Sequence, residues 1–198
     1  LSELNYNRFQ DWTLPFTNEN AKTSMYVFTG DAYRGMNPSE FSQEDVLNAQ
    51  DYLRILSGLY GVLKPLDIMQ PYRLEMGTKL EYSKNVNNLY KFWGDKVTDA
   101  LNSEMENGEV LINLASNEFF KVIDPKKLNH RIITCSFKDE KNGAYKMISF
   151  FAKFARGLMT RFIIQNKITE VEHLKAFDLD RYCYNEEMST EENFVFVR

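Results

Sequence analysis

Two glycines interrupt the stretch from residue 53 to residue 77, LRILSGLYGVLKPLDIMQPYRLEMG, and this interruption constrains the fold more than any other feature. Before them, apolar residues at helical spacing predict a helix that starts at the Ser42 cap and ends at Gly58. After Gly61, a second short helix runs as far as Pro71. Because glycine has no Cβ, the backbone between the two helices can approach another molecule closely. The pattern therefore predicts a tight glycine hairpin between two helices.

Hydrophobic periodicity and turn residues indicate the remaining elements. The predicted helices span 88–105, 116–120 and 150–166, with a further short helix behind a capping box at 169–172. The predicted strands are 109–115, 131–137, 144–149 and 193–197, and an Asn142-Gly143 turn joins the middle two. We therefore predict a mixed α/β (α+β) fold. It is a single compact domain, residues 1–198, with a central β-sheet, surrounding helices and a helix-hairpin-helix-like element.

Composition places the chain among globular proteins. Of its 198 residues, 43% are hydrophobic and 14% are aromatic, which is enough for a core and argues against disorder. No apolar run approaches the roughly 18 residues that a membrane span needs. The two cysteines do not form a CxxC pair, so a reducing cytoplasm is the expected compartment. The first residues, LSELNYNRFQD, lack an initiator Met and a signal-peptide pattern, so we expect a fragment or a processed product.

Charge is distributed unevenly along the chain. The formal net charge is -4, yet residues 121–167 contain eleven Lys or Arg and only three acids. Segregation of this size predicts a basic face that binds an anion, while the acidic remainder keeps the protein soluble. Charge blocks in a sequence need not form patches on a surface, so an ordinary solvated surface is the alternative.

The glycine hairpin is the first candidate for anion binding. It resembles the loop of a helix-hairpin-helix motif, whose backbone N–H groups bind DNA phosphates without reading the base sequence. Here those groups belong to Gly58, Leu59, Tyr60 and Gly61, and Lys64 adds a positive charge. The two-residue spacing of the glycines and the short second helix depart from the motif. An ordinary turn between helices with a glycine cap is therefore the alternative.

The predicted helix 150–166 provides the second candidate. Lys153 and Arg156 share a polar stripe on this otherwise apolar helix, and Arg161 lies beside the stripe. Such a stripe either lines a cleft or forms the solvent-exposed edge of the helix. Because no acid lies nearby in the sequence to pair these cations, we favour a positively charged cleft.

A third set consists of polar residues that lie beside glycines or inside apolar stretches. Its members are Asp31, Tyr33, Arg73, Glu75, Asp95, Asn113, Ser116 and Glu118. Charged groups in such surroundings pair with each other or bind a ligand. One interpretation is a structural network in which Arg73 bridges Asp31 or Asp95. The other is a pocket for acid–base chemistry or for a hard cation, and the sequence leaves both open.

Other chemistries have little support in the sequence. His130 and His173 lie in polar stretches, and neither cysteine has a histidine nearby, which argues against a nucleophilic dyad and a zinc site. The glycine-rich motifs that bind nucleotide phosphates and dinucleotides are absent. We therefore predict no metal and no cofactor, and we favour a binding protein, with an enzyme as the open alternative.

Several long stretches carry a family resemblance. They are FTGDAYRG (28–35), the block at 53–77, FWGD (92–95), INLASNEFF (112–120) and DEKNGAYKMISFFAKFARGLMTRFI (139–163). With these stretches, the chain is similar to the bacterial YaaA peroxide stress family over nearly its whole length. Members of that family usually begin with a further N-terminal segment that contains a Pro-Ala-Lys-Thr motif. The chain therefore resembles an N-terminally truncated member.

The resemblance implies a function as well as a fold. It implies a cytoplasmic protein that limits oxidative damage by hydrogen peroxide and is linked to lowering unincorporated iron. It also implies sequence-independent binding of double-stranded DNA, with the helix-hairpin-helix element at 53–67 and a basic cleft served by Lys153, Arg156 and Arg161. The rival hypothesis is a small-molecule enzyme or a metal-handling protein that uses the polar set.

Overall fold

The computed structural model describes residues 2–83 and 86–198. Its α-helices are α1 (Ser2–Gln10), α2 (Ser24–Val27), α3 (Asp31–Met36), α4 (Gln43–Tyr52), α5 (Leu89–Trp93), α6 (Lys96–Glu104), α7 (Asn117–Phe120) and α8 (Ser149–Gln165). Its strands are β1 (Lys22–Thr23), β2 (Ile55–Ser57), β3 (Gly61–Leu63), β4 (Ile68–Met69), β5 (Lys79–Ser83), β6 (Val86–Asn88), β7 (Val110–Asn113), β8 (Arg131–Lys141), β9 (Ala144–Lys146), β10 (Cys183–Tyr184) and β11 (Asn193–Val197). Short 3-10 helices lie at Pro38–Glu40, Val171–Ala176 and Leu179–Arg181. This mixture of elements confirms the predicted α+β class.

A mixed β-sheet lies at the centre of the fold. Its strands follow the order β10-β11-β8-β7, and β9 pairs with the far end of β8. Strands β7 and β11 run parallel to β8, whereas β9 and β10 are antiparallel to their neighbours. Alternate residues of β8 are buried, among them Ile133, Cys135 and Phe137. One face of the sheet is therefore covered from residue 133 to residue 139 of this strand.

Helix α8 covers that face. Ala152, Ala155 and Met159 recur at helical spacing and belong to one buried cluster with Ile133 and Phe137. Burial of a large apolar side chain such as Met159, Ile133 or Phe137 stabilises a fold by about 1.5–3 kcal/mol. This layer therefore holds α8 firmly on the sheet.

Two glycines bring α3 and α8 into close contact. A Cβ on Gly35 would lie 2.2 Å from the backbone oxygen of Phe154, and one on Gly157 would lie 1.8 Å from that of Ala32. Only glycine allows two helix backbones to approach each other this closely. The contact fixes the N-terminal part of the chain against α8.

Two further groups of buried apolar side chains complete the packing. One includes Val97 of α6 and packs against Ile132, which the alternation of β8 places on the sheet face away from α8. The other includes Met25, Ile55 and Leu63 and joins α2 to the hairpin of β2 and β3. The sheet is thus covered on both faces, as parallel strands require.

Most predicted elements are confirmed within a few residues. Ser42 caps α4 and forms a capping box with Asp45, and Ser116 caps α7. Asn142 and Gly143 adopt φ of 57° and 76°, which match the tight hairpin turn that this pair predicts. That all 198 residues belong to one domain stays a prediction.

The prediction of two helices around the glycine pair is wrong. Helix α4 ends at Tyr52, where the Arg54 guanidinium donates to the carbonyl of Asp51 and closes the last turn. Strands β2 and β3 then form an antiparallel hairpin with Ile55 opposite Leu63, so the glycines lie in a β-hairpin. In a segment this short, the apolar residues fit strand alternation as well as helical spacing, and tertiary packing decides between them.

Two other predictions about helices are also wrong. The predicted helix 88–105 divides at Gly94, whose φ of 51° ends α5 before α6 begins. The expected capping box at 169–172 does not form, because residues 171–176 are a 3-10 helix without a side-chain cap. A glycine inside a helical pattern thus marks a helix end here, as its weak helix propensity allows.

Candidate nucleic-acid interface

The hairpin of β8 and β9 and the first half of α8 form one exposed region, called the basic end below (residues 138–156). The strands pair from Asp139 opposite Lys146 to Lys141 opposite Ala144. Residues 140–147 are all exposed, and α8 begins two residues after them. The hairpin and the first turn of α8 are therefore adjacent along the chain, and α8 packs against β8, the longer strand of the hairpin.

The cations of the basic end have no acidic partner within the part of the chain that the structure describes. They are Lys138, Lys141, Lys146, Lys153 and Arg156. Two acids lie among them. Asp139 is buried and already binds Arg198, with Nε 2.5 Å from Oδ1, and accepts a hydrogen bond from the Tyr182 hydroxyl at 3.1 Å. Only Glu140 remains exposed, so the region keeps a strong positive potential.

Other cations of the same sequence block are neutralised by the fold. Arg161 Nη2 lies 2.5 Å from Glu40 Oε2, and Lys167 pairs with Glu44. Both acids come from the segment around α4, which packs against α8. The expectation that no acid pairs this helix is therefore wrong for Arg161, because an acid distant in the sequence reaches it through tertiary packing.

Arg156 is half-buried, as Lys138 is, whereas Lys141, Lys146 and Lys153 are exposed. Burial lowers the pKa of its guanidinium, which nevertheless stays charged at neutral pH. Thr160 Oγ1 donates to the backbone carbonyl of Arg156, so this contact leaves the guanidinium donors available. A partly desolvated guanidinium favours an incoming anion more strongly than a fully hydrated ammonium does.

The basic end also exposes large apolar side chains. Met147 is 63% exposed, Phe150 is 51% exposed and Tyr145 is 41% exposed. The Arg198 guanidinium lies over the ring of Phe151, 4.5 Å from the ring centroid, in a cation–π contact. Exposed rings beside unpaired cations are features of nucleic-acid interfaces, where they stack on bases or wedge between base steps.

The glycine hairpin uses its two glycines for contacts inside the protein. A Cβ on Gly58 would lie 2.3 Å from the backbone oxygen of Leu74, and one on Gly61 would lie 2.8 Å from the ring of Trp93. The Trp93 Nε1 also donates to the Gly58 carbonyl at 3.0 Å. The close approach that glycine permits is thus taken up by the protein's own chain.

The other residues of this hairpin also have internal partners or are half-buried. The Tyr60 backbone N–H donates to Ser57 Oγ at 3.0 Å, and Leu59 is half-buried. Lys64 Nζ lies 3.4 Å from Glu104 Oε2. Phosphate binding by these residues stays a prediction, but the helical geometry on which it depended is absent.

The predicted polar set does not gather into one pocket. Its ion pairs are Asp31–Arg34 (3.3 Å), Arg73–Glu75 (3.8 Å) and Asp95–Lys127 (2.5 Å). The predicted bridge from Arg73 to Asp31 or Asp95 is therefore wrong. Asp95 lines an open cleft of about 530 Å³ together with Tyr90 and Lys121.

Three members of the polar set meet near the end of β7. Asn113 Oδ1 accepts a hydrogen bond from the Ala115 N–H at 3.0 Å, and Glu118 Oε1 accepts one from the Gly77 N–H at 2.8 Å. Ser116 caps α7 between them. These polar atoms bind the backbone, so they hold two loops together.

Tyr33 lies in an aromatic cluster with Tyr72. Its ring stacks on Phe28 at a centroid distance of 4.9 Å, and burial together with the neighbouring Tyr72 raises its pKa. The Tyr72 hydroxyl lies 2.5 Å from Ser57 Oγ. Both phenols are therefore neutral at physiological pH.

Sequence comparison identifies the family. The family profile described as "Peroxide stress protein YaaA" matches residues 1–188. The chain belongs to the YaaA peroxide stress family. Relatives described as UPF0246 proteins are 56% identical in Saccharophagus degradans and 57% identical in Colwellia psychrerythraea. Each match covers 100% of this chain and 78% or 77% of the relative.

Membership of the YaaA family confirms the resemblance and supports a general role in oxidative stress. Among the residues that the structure describes, no group of three or more His, Cys, Asp or Glu side chains is arranged to hold a metal ion. Within the same ranges, no helix has the length and the apolar character needed to cross a bilayer.

Three lysines of the basic end in this YaaA family chain were not assigned to a site from the sequence. They are Lys138, Lys141 and Lys146. A signal for them was present, because the Asn142-Gly143 turn lies between lysines on both strands. A tight turn brings the charges of its two strands together, so a turn inside a block of cations predicts a local cluster of positive charge.

Proposed function

We propose that this YaaA family protein limits peroxide damage in the cytoplasm by binding double-stranded DNA through its basic end, without sequence preference. The observation that carries the proposal is the group of five unpaired cations around a single exposed carboxylate, Glu140. Binding of this kind depends on neutralising phosphates and on releasing counterions. DNA covered in this way is shielded from radicals that iron and peroxide form nearby. The link of the family to free iron stays a prediction.

The shape of the basic end fits a DNA groove. Strands β8 and β9 form a two-stranded ribbon whose tip is exposed, and the major groove of B-DNA accepts such a ribbon. Lys141 and Lys146 lie on the two strands of the ribbon, and Lys153 and Arg156 lie on the helix that follows it. The ribbon would enter the groove while the helix contacts the flanking phosphates.

Fluorescence anisotropy with a labelled duplex tests the proposal. Five phosphate contacts predict a slope of log affinity against log salt of roughly -4 to -5, since each contact contributes about 0.9. The double variant Lys146→Glu with Lys153→Glu should weaken binding strongly at low salt and reduce the slope by about 2. An unchanged affinity for this variant would contradict the proposal.

A matched control separates the basic end from net charge. Lys22 and Lys126 are exposed cations outside it, so Lys22→Glu with Lys126→Glu changes the charge of the protein by the same amount. We expect this control to keep most of the affinity and the full salt slope. Equal weakening by both double variants would show that binding depends on overall charge and not on this surface.

A further inference from the structure

Trp12 and Tyr60, which are distant in the sequence, share a hydrogen bond inside an aromatic cluster. Trp12 lies between α1 and β1, and Tyr60 lies in the turn between β2 and β3. The indole Nε1 donates to the Tyr60 hydroxyl oxygen at 3.2 Å. Phe16 packs edge-on against both rings, at centroid distances of 5.5 Å and 6.2 Å. The contact is thus part of a packed unit.

Gln70 fixes the two residues in place. Its buried side-chain amide accepts a hydrogen bond from the Thr13 N–H at 3.0 Å and donates to the Thr13 carbonyl. Its backbone N–H donates to the Tyr60 hydroxyl at 3.1 Å. A buried polar group with its partners satisfied makes the local geometry rigid. Trp12 itself is only half-buried, so small molecules in solution can reach the indole.

We propose that Trp12 and Tyr60 form a radical-transfer pair that carries a one-electron oxidation from the indole to the phenol. The oxidant is a small one-electron oxidising radical, the class of species that peroxide generates with reduced iron. It removes one electron from the Trp12 indole and is itself reduced. The Nε1 proton passes to water, and a neutral indolyl radical remains.

The 3.2 Å contact between Trp12 Nε1 and the Tyr60 oxygen provides the path for the second step. In the resting protein the Tyr60 hydroxyl donates to the Gln70 backbone carbonyl at 3.3 Å, and it turns to Trp12 Nε1 once that nitrogen has lost its proton and become an acceptor. The Tyr60 O–H bond then breaks, and its hydrogen atom forms a new N–H bond at Trp12 Nε1. Trp12 returns to its closed-shell form, and Tyr60 becomes a neutral phenoxyl radical. The step conserves atoms and electrons and needs no further reactant. It runs downhill because the phenoxyl radical is the weaker oxidant at neutral pH.

Trp93 provides a contrast within the same chain. Its Nε1 donates to the backbone carbonyl of Gly58 at 3.0 Å. A carbonyl oxygen carries no hydrogen, so this partner cannot repair an indolyl radical on Trp93. The two tryptophans of the chain therefore represent a reactive and an unreactive arrangement of the same side chain.

Pulse radiolysis with azide radicals at neutral pH tests the proposal. In the Trp93→Phe protein, the indolyl absorption of Trp12 should decay by first-order kinetics while a phenoxyl absorption rises, at a rate independent of protein concentration. In the Trp12→Phe protein, the indolyl absorption of Trp93 should decay without this first-order conversion. Equal conversion in both proteins would overturn the assignment of the pair.

The phenol is identified by a second pair of variants in the Trp93→Phe background. Tyr60→Phe should lose the conversion, whereas Tyr145→Phe, which removes an exposed phenol from the basic end, should keep it. Circular dichroism verifies that both variants are folded. Conversion at an unchanged rate in Tyr60→Phe would refute the proposal.

A measurement on the unaltered chain makes the test independent of variant folding. After azide oxidation in the presence of a nitroso spin trap, mass spectrometry should locate the adduct on Tyr60. An adduct confined to Trp12 would refute the transfer. DNA binding takes no part in these measurements, so their outcome is separate from that of the proposed function.

Discussion

The β2–β3 hairpin and the β8–β9 hairpin each contain a glycine with a left-handed φ but have opposite surroundings. Gly61 and Gly143 adopt φ of 75° and 76°. A Cβ on Gly61 would meet the Trp93 ring at 2.8 Å, whereas a Cβ on Gly143 would meet nothing within 4 Å. The first hairpin is packed against the rest of the chain, and the second projects into solvent.

The difference teaches what a glycine turn can predict. It predicts a close approach or a left-handed backbone, but not the identity of the neighbour. The lysines follow the same division: Lys64 pairs with Glu104, while Lys141 and Lys146 have no acidic partner among the described residues. The second hairpin is therefore the better candidate for binding a ligand.

The largest expected effect concerns the base from which the second hairpin projects. Asp139 binds Arg198, and the two side chains are only 8% and 12% exposed. Breaking a buried ion pair on one side costs about 3–5 kcal/mol, and the lower end applies because Arg198 keeps Asp180 as a partner. We expect Asp139→Asn to lower the unfolding free energy by about 3 kcal/mol in urea denaturation.

An exposed ion pair serves as the control for that measurement. Glu172 pairs with Lys175, and its side chain is 73% exposed. Glu172→Gln should change the unfolding free energy by less than about 1 kcal/mol, since solvent screens such pairs. If Asp139→Asn also lowered the unfolding free energy by less than about 1 kcal/mol, the buried pair would not stabilise the base of the hairpin.

The two glycines allow a direct comparison of the hairpins. Gly61→Ala and Gly143→Ala should each lose about 1–2 kcal/mol of unfolding free energy, because alanine disfavours the left-handed conformation at both positions. Only Gly61→Ala also forces a Cβ into the Trp93 ring, so it should cost about 1–3 kcal/mol more. Thermal unfolding of both variants measures the difference, and equal losses would mean that the ring moves aside freely.

Much of the fold could be predicted from local patterns in the sequence. Strand β8 shows strict alternation, α8 shows helical periodicity, and Ser42 caps α4 as its side-chain chemistry requires. The region from Ile55 to Leu63 could not be assigned in this way. Its apolar residues fit the two-residue period of a strand as well as the 3.6-residue period of a helix. Its structure depends on contacts with Trp93 and Leu74, two residues that lie elsewhere in the chain.

The candidate site was predictable only in part. The excess of cations in 121–167 is a property of the sequence, but which of them remain unpaired is a property of the fold. Arg161 is paired with Glu40, an acid in a 3-10 helix far away in the sequence, so its charge is already neutralised. Lys146 keeps its availability because the opposite carboxylate, Asp139, is already bound by Arg198. Local sequence patterns do not show which cation pairs with an acid that is distant in the sequence.

Alkaline pH should affect the surroundings of the first hairpin. Burial raises the pKa of Tyr33 and of Tyr72. The folded protein then holds phenol protons that the unfolded chain releases above about pH 10, so stability is constant below that pH and falls above it. We expect a loss of about 1 kcal/mol from Tyr33 between about pH 9 and 11. Tyr33→Phe should reduce this loss in denaturation curves, and an unchanged curve would contradict the assignment.

The two cysteines test whether the buried part of β8 stays closed, without any change in stability. Cys135 lies in β8, and burial raises the pKa of its thiol to about 12, so it stays protonated and inaccessible at neutral pH. Cys183 in β10 is exposed. A disulfide reagent should therefore label one thiol per folded chain and two after unfolding. Rapid labelling of both in the folded protein would mean that β8 opens along its length, and the second hairpin would then lack the rigid base that a binding ribbon needs.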